Sequence, residues 1–444
     1  MIRYPCDFID KGALALTDNA RGCSVTPTWQ LAVRGALDPA HVRAAVADCA
    51  KRFPTLRCKM HAVDPGGRDR RFEWVEDPAF TVDAIFRVVD TDDLAALARE
   101  ELNRPLDPLR DFPVTLTMAR TPEGCRLFFR QHHCSADGRA FIGLLVEFAA
   151  FLEAHRAGKP MTALVPVHRQ NEVAPLALSR SRHFFWRLAG YLNLARRVFA
   201  AIFRPVAPLL QNVSNDYSGE NGTVHWIVDD GVLPAWNAAR KRIGASLNSI
   251  LTAAFFAANQ RWHRARGAAI GRTTGTIAME TRPHDGNFAS FANHLTSLDV
   301  TLPLDRLDDP AAMARAVQAQ VDRQRKTQLP FKRLVAERAI VAGMPVAQMR
   351  RMIFDGKRIS YNLGFSNLIA LEFPTLAGDG WRVEEVLITT PISPRHGLGL
   401  TCIRYNGRLV FNFNYKSTAA TRDDAETVSR LFAEVMAEVV AQRP

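Results

Sequence analysis

The stretch "LFFRQHHCSADGRAF", residues 127–141, places two neighbouring histidines and an Asp-Gly pair where a strand pattern changes into a helix pattern. The residues before it predict two strands joined by a turn at Pro122, Glu123 and Gly124. The residues after it form an apolar pattern that ends at Gly158 and is typical of a long buried helix. The stretch therefore predicts a strand, a tight turn and the start of a helix.

The two histidines are not equivalent in this pattern. Successive strand residues point to opposite faces, so His132 and His133 are not expected to line one cavity together. One of them should support the turn from the interior, and the other should face a site. The alternative interpretation is that one histidine packs and the other is solvated, while Asp137 only caps the helix that follows.

The length of the chain and its alternating patterns predict an α/β (α+β) fold. At 444 residues the chain exceeds what one hydrophobic core usually serves, so we expect two lobes. Pro-containing and polar pieces interrupt the pattern between them. The predicted division is an N-terminal lobe over 1–175, a connection over 176–222 and a C-terminal lobe over 223–444.

Several further elements have clear local signals. Helices are predicted over 38–53, 138–158, 244–263, 314–328 and 422–442, the fourth of them basic and exposed, with a strand over 274–283. Residues 400–415 predict a hairpin, because Asn406-Gly407 supplies the positive φ angles of a two-residue type I′ turn.

Charge and cysteine content limit the partners and the compartment. A formal net charge of +12 favours polyanionic partners or an anionic membrane surface. The arginines are spread along the chain without a nucleic-acid motif, so we expect no nucleic-acid partner. The seven cysteines form no CxxC pair, and the N-terminus lacks a signal-peptide pattern. A cytoplasmic protein without a zinc site or a disulfide framework is expected.

The connection contains a basic amphipathic segment over 182–210. Apolar side chains recur at helical spacing on one face, namely Phe184, Leu188, Tyr191, Ala195, Phe199 and Ile202. Arginines gather on another face, namely Arg182, Arg196, Arg197 and Arg204. Such a helix can make peripheral contact with a membrane or guide a lipid substrate. The alternative is a crossover helix that packs its apolar face on the lobes.

The motif resembles that of a known superfamily. "HHCSADG" matches the HHxxxDG motif of the superfamily that contains chloramphenicol acetyltransferase, the condensation domains of nonribosomal peptide synthetases, the wax ester synthase/diacylglycerol acyltransferases and the plant BAHD acyltransferases. Further landmarks resemble the same superfamily in the expected order: "NRPLDPLRDFPVTLTMAR", "GASLNSILTAAFFAA" with Asn248, "METRPHDGNFASFANHLTSLDVTLP" with Arg282, Pro283 and Asn293, and "SYNLGFSNLI" with Ser366 and Asn367.

The resemblance implies two chloramphenicol acetyltransferase-like lobes, each a mixed sheet flanked by helices, with an active-site tunnel between them. It implies that His133 is a general base that removes a proton from an acceptor hydroxyl or amine, which then attacks a donor thioester. Histidine suits this step, because its ordinary pKa of ~6.5 lets it exchange a proton near neutral pH. His132 and Gly138 would support the turn.

The resemblance also implies roles for residues outside the motif. Asp137 would be structural, paired with an arginine for which Arg282 is the candidate. Ser366 and Asn367, with Asn293, are candidates for the tunnel lining or for holding the developing oxyanion. The alternative for Ser366 and Asn367 is a turn in which they bond local backbone.

Two other chemistries are expected to be absent from the motif. Cys134 is predicted to be a small packing residue, because no second histidine is placed to serve it as a nucleophile. The His pair is not expected to bind a metal, since neighbouring strand residues diverge and no further ligands complete the sphere.

Donor and acceptor are left open by departures from each subfamily. The chain lacks the DFGWG segment of the plant enzymes, the Pro-Gly-Pro after the Ser-Asn pair of the wax ester synthases, and the Gln-Arg-Leu-Trp pattern of condensation domains. We expect an acyltransferase without a tightly bound cofactor that takes acyl-CoA or an acyl-carrier protein as donor and a small-molecule or lipid alcohol as acceptor. The alternatives are a stand-alone condensation enzyme that uses carrier-bound donors, and a catalytically degenerate member that binds or scaffolds.

Overall fold

The computed structural model describes residues 1–18, 21–63, 69–121, 124–158, 184–203, 216–268, 270–282, 290–355, 363–371, 373–392 and 397–442. The helices of these ranges are α1 Phe8–Ala15, α2 Pro39–Arg52, α3 Leu94–Asn103, α4 Gly138–Ala157, α5 Phe184–Phe203, α6 Leu233–Ile243, α7 Leu247–Ala265, α8 Pro310–Lys326, α9 Leu329–Gly343, α10 Val346–Arg350 and α11 Arg422–Ala441. The strands are β1 Arg3–Pro5, β2 Thr28–Arg34, β3 Cys58–Ala62, β4 Phe72–Glu76, β5 Phe86–Asp90, β6 Val114–Thr121, β7 Gly124–Gln131, β8 Asn221–Asp229, β9 Arg272–Glu280, β10 Leu295–Pro303, β11 Leu363–Asn367, β12 Ala377–Gly378, β13 Trp381–Thr389, β14 Leu398–Tyr405 and β15 Arg408–Lys416.

The sheet of the first lobe carries the histidine motif. Its strand order is β12-β13-β2-β7-β6-β5, with β5 and β6 parallel and the other neighbours antiparallel. Side chains alternate along β7, so Leu127 and Phe129 pack with α2 and α4, while Phe128 packs with α3 on the opposite face. The first lobe is therefore a mixed sheet with helices on both faces.

The sheet of the second lobe has the order β10-β9-β11-β14-β15-β8, in which β11 runs parallel to both of its neighbours. Helices α7, α8 and α11 cover one face of it and contribute Phe255, Val317 and Phe432 to the core. A separate three-stranded sheet has the order β1-β4-β3. Two mixed sheets flanked by helices confirm the predicted two-lobed α/β fold.

Two strands of the C-terminal half join the sheet of the first lobe, because the short β12 pairs with β13. Residues 381–389 form β13, which pairs antiparallel with β2 of the first sheet. Val383, Val386 and Ile388 are buried in the core of the first lobe, and Asn414 of β15 accepts a bond from the backbone of Thr390 just beyond β13. The assignment of all of 223–444 to the second lobe is corrected for Ala377–Gly378 and Trp381–Thr389, because an alternating pattern predicts a strand but does not specify the sheet that it joins.

The local signals explain most of these elements. Asp38 caps α2 by accepting from the backbone N–H of Ala40 at 2.8 Å. Asn406 and Gly407 have φ angles of 50° and 74°, as the predicted hairpin turn requires. The expected turn residues Pro122 and Glu123, by contrast, lie outside the described residues.

The 314–328 helix was predicted to be basic and exposed, and the structure shows this for one face only. Helix α8 buries Met313, Ala314, Val317 and Val321 on one face, while its arginines lie on the other. Its apolar residues recur at helical spacing, and this pattern matters more for burial than the number of basic residues.

Helix α5 occupies the predicted amphipathic segment. Arg182 and Arg204 at its ends lie outside the described residues, as do the side chains of Arg197 and Ile202. Among the helices of the described ranges, none is long and apolar enough to cross a membrane.

Candidate active site

The histidine motif lies between the end of β7 and the start of α4. The strand ends at Gln131, and the carbonyl of His132 accepts from the backbone and hydroxyl of Ser135 at 3.0 and 2.9 Å. Asp137 then occupies the N-cap of α4, where its Oδ1 accepts from the backbone N–H of Ala140 at 3.0 Å. Aspartate is favoured at this position because its carboxylate satisfies an otherwise unpaired helix N–H. The sequence thus builds a tight turn that contains both histidines.

His132 is a buried structural side chain. Its Nδ1 accepts from the backbone N–H of Cys134 at 3.2 Å, and its Nε2 lies 2.7 Å from the hydroxyl of Thr17. An accepting Nδ1 places the proton on Nε2, which then donates to Thr17. Burial, with the nearby charges of His133 and Arg130, lowers the pKa of His132 to about 3. The ring is therefore neutral at pH 7, and its low basicity makes it a poor proton acceptor.

His133 is the partly exposed histidine of the pair. Its backbone is held from two sides, since its N–H donates to the carbonyl of Val25 at 2.9 Å and its carbonyl accepts from Asn293 Nδ2 at 2.8 Å. Within the part of the chain that the structure describes, the imidazole itself forms no hydrogen bond. The position of the residue is fixed while both ring nitrogens stay available to a ligand.

Asp137 forms a buried ion pair with Arg282. Its Oδ2 accepts from Arg282 Nη1 at 2.9 Å and from the backbone N–H of His294 at 2.7 Å. Burial alone would raise the pKa of Asp137, but Arg282 and the backbone donors outweigh it and the pKa lies below its ordinary value. Arg282 also contacts Glu280 at 3.1 Å and the carbonyl of Ala292 at 2.9 Å. Oδ2 thus joins the N-terminus of α4 to the second lobe, while Oδ1 caps α4 itself.

Asn293 connects the histidine turn to α1, a helix that the sequence analysis did not predict. Its Nδ2 is 2.8 Å from the carbonyl of His133, 3.2 Å from that of Cys134 and 3.3 Å from Asp10 Oδ1. Asp10 lies in the first turn of α1, where it also accepts from Trp74 Nε1 at 3.2 Å. The Asp7-x-x-Asp10 spacing, which forms a capping box here, is the local signal that could have located this helix.

Asp10 provides a pH-dependence prediction. Burial, with the neighbouring charge of Asp7, raises the pKa of Asp10 to about 7. Since the folded pKa lies above the unfolded one, its contribution to stability is fully present below pH ~4 and is lost as the pH rises towards 7. The isosteric Asp10→Asn variant cannot ionise, so its melting temperature should improve relative to wild type between pH 5 and pH 8. Thermal melts across that range test this, and a constant difference between the two proteins would contradict it.

Of the remaining predicted residues, Gly138 begins α4, and Ser366 and Asn367 end β11 of the second lobe. A Cβ at Gly138 would be 3.2 Å from Leu368 Cδ1, so the segment after β11 packs closely on the N-terminus of α4. Asn367 uses both amide atoms within the protein: Nδ2 donates to Asn248 Oδ1 at 3.2 Å, and Oδ1 accepts from the N–H of Ile369 at 2.9 Å. Ser366 is half-buried, and no hydrogen bond of its hydroxyl occurs among the described residues. Of the two, Ser366 has the available donor.

Cys134 was predicted to be a packing residue because no histidine was expected to serve its thiol. In the structure, His132 lies beside it. Its Sγ lies 2.8 Å from His132 Nδ1. The thiol is fully buried, however, and burial together with the charge of Asp10 raises its pKa well above the ordinary value. A buried thiol of raised pKa next to a weakly basic imidazole is not an activated nucleophile. Across the described ranges, no cluster of three or more His, Cys, Asp or Glu side chains could hold a metal ion.

Comparison with known proteins gives a family match and a shared fold. Residues 291–438 match the model of the WS/DGAT C-terminal domain family, a range that includes Asn293 and Ser366 but not the histidine turn. No curated protein matches the chain.

Solved structures resemble nearly the whole chain. The first condensation domain of the calcium-dependent antibiotic synthetase, in complex with a substrate analogue, is 15% identical with a TM-score of 0.72, over 99% of this chain and 97% of that chain. The SgcC5 protein from Streptomyces globisporus is 15% identical with a TM-score of 0.68, over 99% of each chain. A variant of the starter condensation domain of the rhizomide synthetase, in complex with C8-CoA, is 14% identical with a TM-score of 0.66, over 94% of this chain and 89% of that chain. These structures show that the chain shares the condensation-domain fold, in agreement with the fold that the motif implied, while the family match covers 291–438 only.

Proposed function

We propose that this chain is an acyltransferase of the superfamily that includes the condensation domains and the wax ester synthase/diacylglycerol acyltransferases, and that it transfers an acyl group from a thioester to a hydroxyl, with an amine as the less favoured alternative acceptor. One observation carries the proposal. The turn holds His132 buried and neutral while it leaves the imidazole of His133 half-buried and available, with its backbone fixed by Asn293. A general base must be positioned and accessible to the acceptor, and of the two histidines only His133 is accessible.

In the proposed reaction His133 takes the proton of the acceptor hydroxyl as the oxygen attacks the thioester carbonyl. The carbon–oxygen bond forms, and the carbonyl oxygen takes up negative charge in the tetrahedral adduct. Collapse of the adduct breaks the carbon–sulfur bond, and the imidazolium returns its proton to the leaving thiolate. Asp137 does not relay this proton, because both of its oxygens are occupied by Arg282 and backbone donors.

The developing oxyanion needs a donor at this turn. Ser366 is our proposed donor, since its hydroxyl has no partner among the described residues and it precedes the segment that packs on Gly138. Asn367 is assigned a structural role instead, because it holds Asn248 and closes a local turn at Ile369. A single well-placed donor of this kind is usually worth ~10²-fold or more in rate.

The ligands of two related structures support the donor and acceptor classes. The rhizomide starter domain was solved with C8-CoA, and SgcC5 was solved with a naphthyl ethanediol. The first is a CoA compound and the second an alcohol. We therefore propose acyl-CoA or a carrier-bound acyl thioester as donor and an alcohol as acceptor. The alternative hypothesis is a condensation enzyme that uses only carrier-bound donors. The fold shared with the synthetase domains supports this alternative.

Donor binding should depend on salt. The chain has a formal net charge of +12, whereas CoA carries phosphates and carrier proteins are generally acidic. Screening weakens this attraction as ionic strength rises. We expect the KM for the donor to rise several-fold from low to high salt while kcat changes little. A KM that is independent of salt would show that the charge does not serve donor binding.

A thioester-release assay tests the proposed function. Purified protein is incubated with acyl-CoAs and acyl-carrier proteins of different chain lengths, each with and without alcohols and amines, and the products are identified by mass spectrometry. We expect thiol release that depends on an alcohol and yields an ester. Release from carrier proteins alone with an amine would favour the condensation reading, and no transfer from any donor would favour a binding or scaffold role.

A further inference from the structure

Helix α5 exposes a stripe of large apolar side chains. The exposed fractions are 68% for Phe184, 77% for Phe185, 41% for Leu188 and 62% for Leu192, and Tyr191 extends the same stripe at 38%. With 3.6 residues per turn, these side chains cover an arc of about 120° on one side of the helix. Exposed apolar surface of this extent usually marks an interaction site.

The opposite side of α5 packs against α9. A Cβ at Gly190 would lie 2.2 Å from the backbone carbonyl of Lys332 on α9, so glycine allows the two helices to approach closely. The ammonium of Lys332 is 5.4 Å from the centre of the Trp186 ring on the same side of α5. The helix is therefore held by one face and presents the apolar stripe outward.

Basic residues border the stripe on both sides. At about 100° per residue, Arg187 lies on one margin of the stripe and Arg196 on the other, and both are exposed. The helix contains no Asp or Glu, and the whole chain has a formal net charge of +12. Arginines at the margins can place their guanidinium groups among phosphates while the stripe lies deeper.

We propose that α5 docks this protein onto an anionic lipid bilayer, with the stripe inserted at the boundary between headgroups and acyl chains. The charge pattern selects this occupant. A second copy of the chain, packed stripe to stripe about a two-fold axis, would bring Arg187 and Arg196 towards the same residues of its partner. An anionic bilayer instead supplies an apolar layer for the stripe and negatively charged headgroups for the arginines at both margins of the stripe. The proposal goes beyond the acyltransferase activity and does not depend on it.

Vesicle flotation tests the docking. Full-length protein is mixed with vesicles of phosphatidylcholine alone or of phosphatidylcholine with phosphatidylglycerol. The variants are Leu192→Asp, matched by Leu109→Asp at a turn residue of 37% exposure, and Arg196→Glu, matched by Arg110→Glu, whose side chain is 86% exposed. Each pair carries the same substitution and charge change, and thermal melts verify that all four variants are folded.

Wild type should float with the anionic vesicles and stay behind with phosphatidylcholine alone. Leu192→Asp and Arg196→Glu should each lower the partition coefficient at least roughly tenfold, since one removes inserted apolar surface and the other reverses a charge at the lipid surface. The two control variants should bind as wild type does. The proposal is overturned if wild type does not float, if Leu192→Asp binds as well as Leu109→Asp, or if sedimentation shows instead a dimer that Leu192→Asp abolishes.

Discussion

Replacing Arg282 by methionine is expected to lower the free energy of unfolding by ~3–5 kcal/mol, the usual cost of removing one partner of a buried ion pair. Arg282 and Asp137 are each 6% exposed, and Arg282 Nη1 lies 2.9 Å from Asp137 Oδ2. Methionine retains the apolar stem of the side chain, so the loss is mainly the uncompensated carboxylate. Urea unfolding at pH 7 measures it.

The double variant Asp137→Asn/Arg282→Met is the control for this prediction. Asparagine keeps the helix cap at Ala140 and carries no charge, but its amide nitrogen cannot accept from the N–H of His294, so the double variant should recover part of the stability that Arg282→Met loses. In wild type the pKa of Asp137 is lowered, so the pair stabilises the protein above the unfolded pKa of ~4 and this stability is lost as the pH falls through the folded pKa. A loss below ~1 kcal/mol for Arg282→Met would contradict a buried ion pair that matters for stability.

Replacing His133 by alanine is expected to lower turnover by ~10²- to 10⁴-fold, the range that general-base catalysis usually contributes. The melting temperature should change little, because the imidazole is half-buried and makes no hydrogen bond in the described part of the chain. The bonds that fix this residue come from its backbone, to Val25 and Asn293, and alanine retains them. Activity and thermal melts of the same preparation separate the two effects.

His132→Ala is the matched control, because it removes the same ring one residue earlier. His132 is fully buried, and its loss leaves the N–H of Cys134 without its partner, while the hydroxyl of Thr17 loses one of its two bonds and keeps the one to the carbonyl of Ala13. Each buried group left unpaired costs ~1–3 kcal/mol, so this variant should lose melting temperature together with activity. Equal losses of stability in the two variants would remove the distinction between a base and a supporting histidine.

Local signals in the sequence predicted the turn and its neighbours. The Asp-Gly pair before an apolar helix pattern located the N-cap of α4, and Asn406-Gly407 located the hairpin turn. These features depend on residues a few positions apart, whose backbone preferences are nearly independent of the rest of the fold. Strand alternation also predicted that His132 and His133 differ, although β7 ends at Gln131 and the turn itself makes them inequivalent.

Contacts between distant parts of the chain could not be predicted in the same way. Asn293 bonds the carbonyl of His133 from 160 positions away, and β13 joins β2 across the whole connection. No local preference specifies such a pairing, because it depends on how the two lobes pack. Helix α5 is a similar case: its periodicity was compatible with burial or exposure, and only the structure shows that Phe185 and Leu192 are exposed.

The most direct test of the central claim is the transfer of a labelled acyl group from a thioester to an alcohol. It is measured for wild type and for a His133→Ala protein of equal melting temperature. The account predicts labelled ester from wild type and a loss of at least ~10²-fold in its rate of formation by the variant. Full activity in a well-folded His133→Ala protein would contradict general-base acyl transfer at this turn.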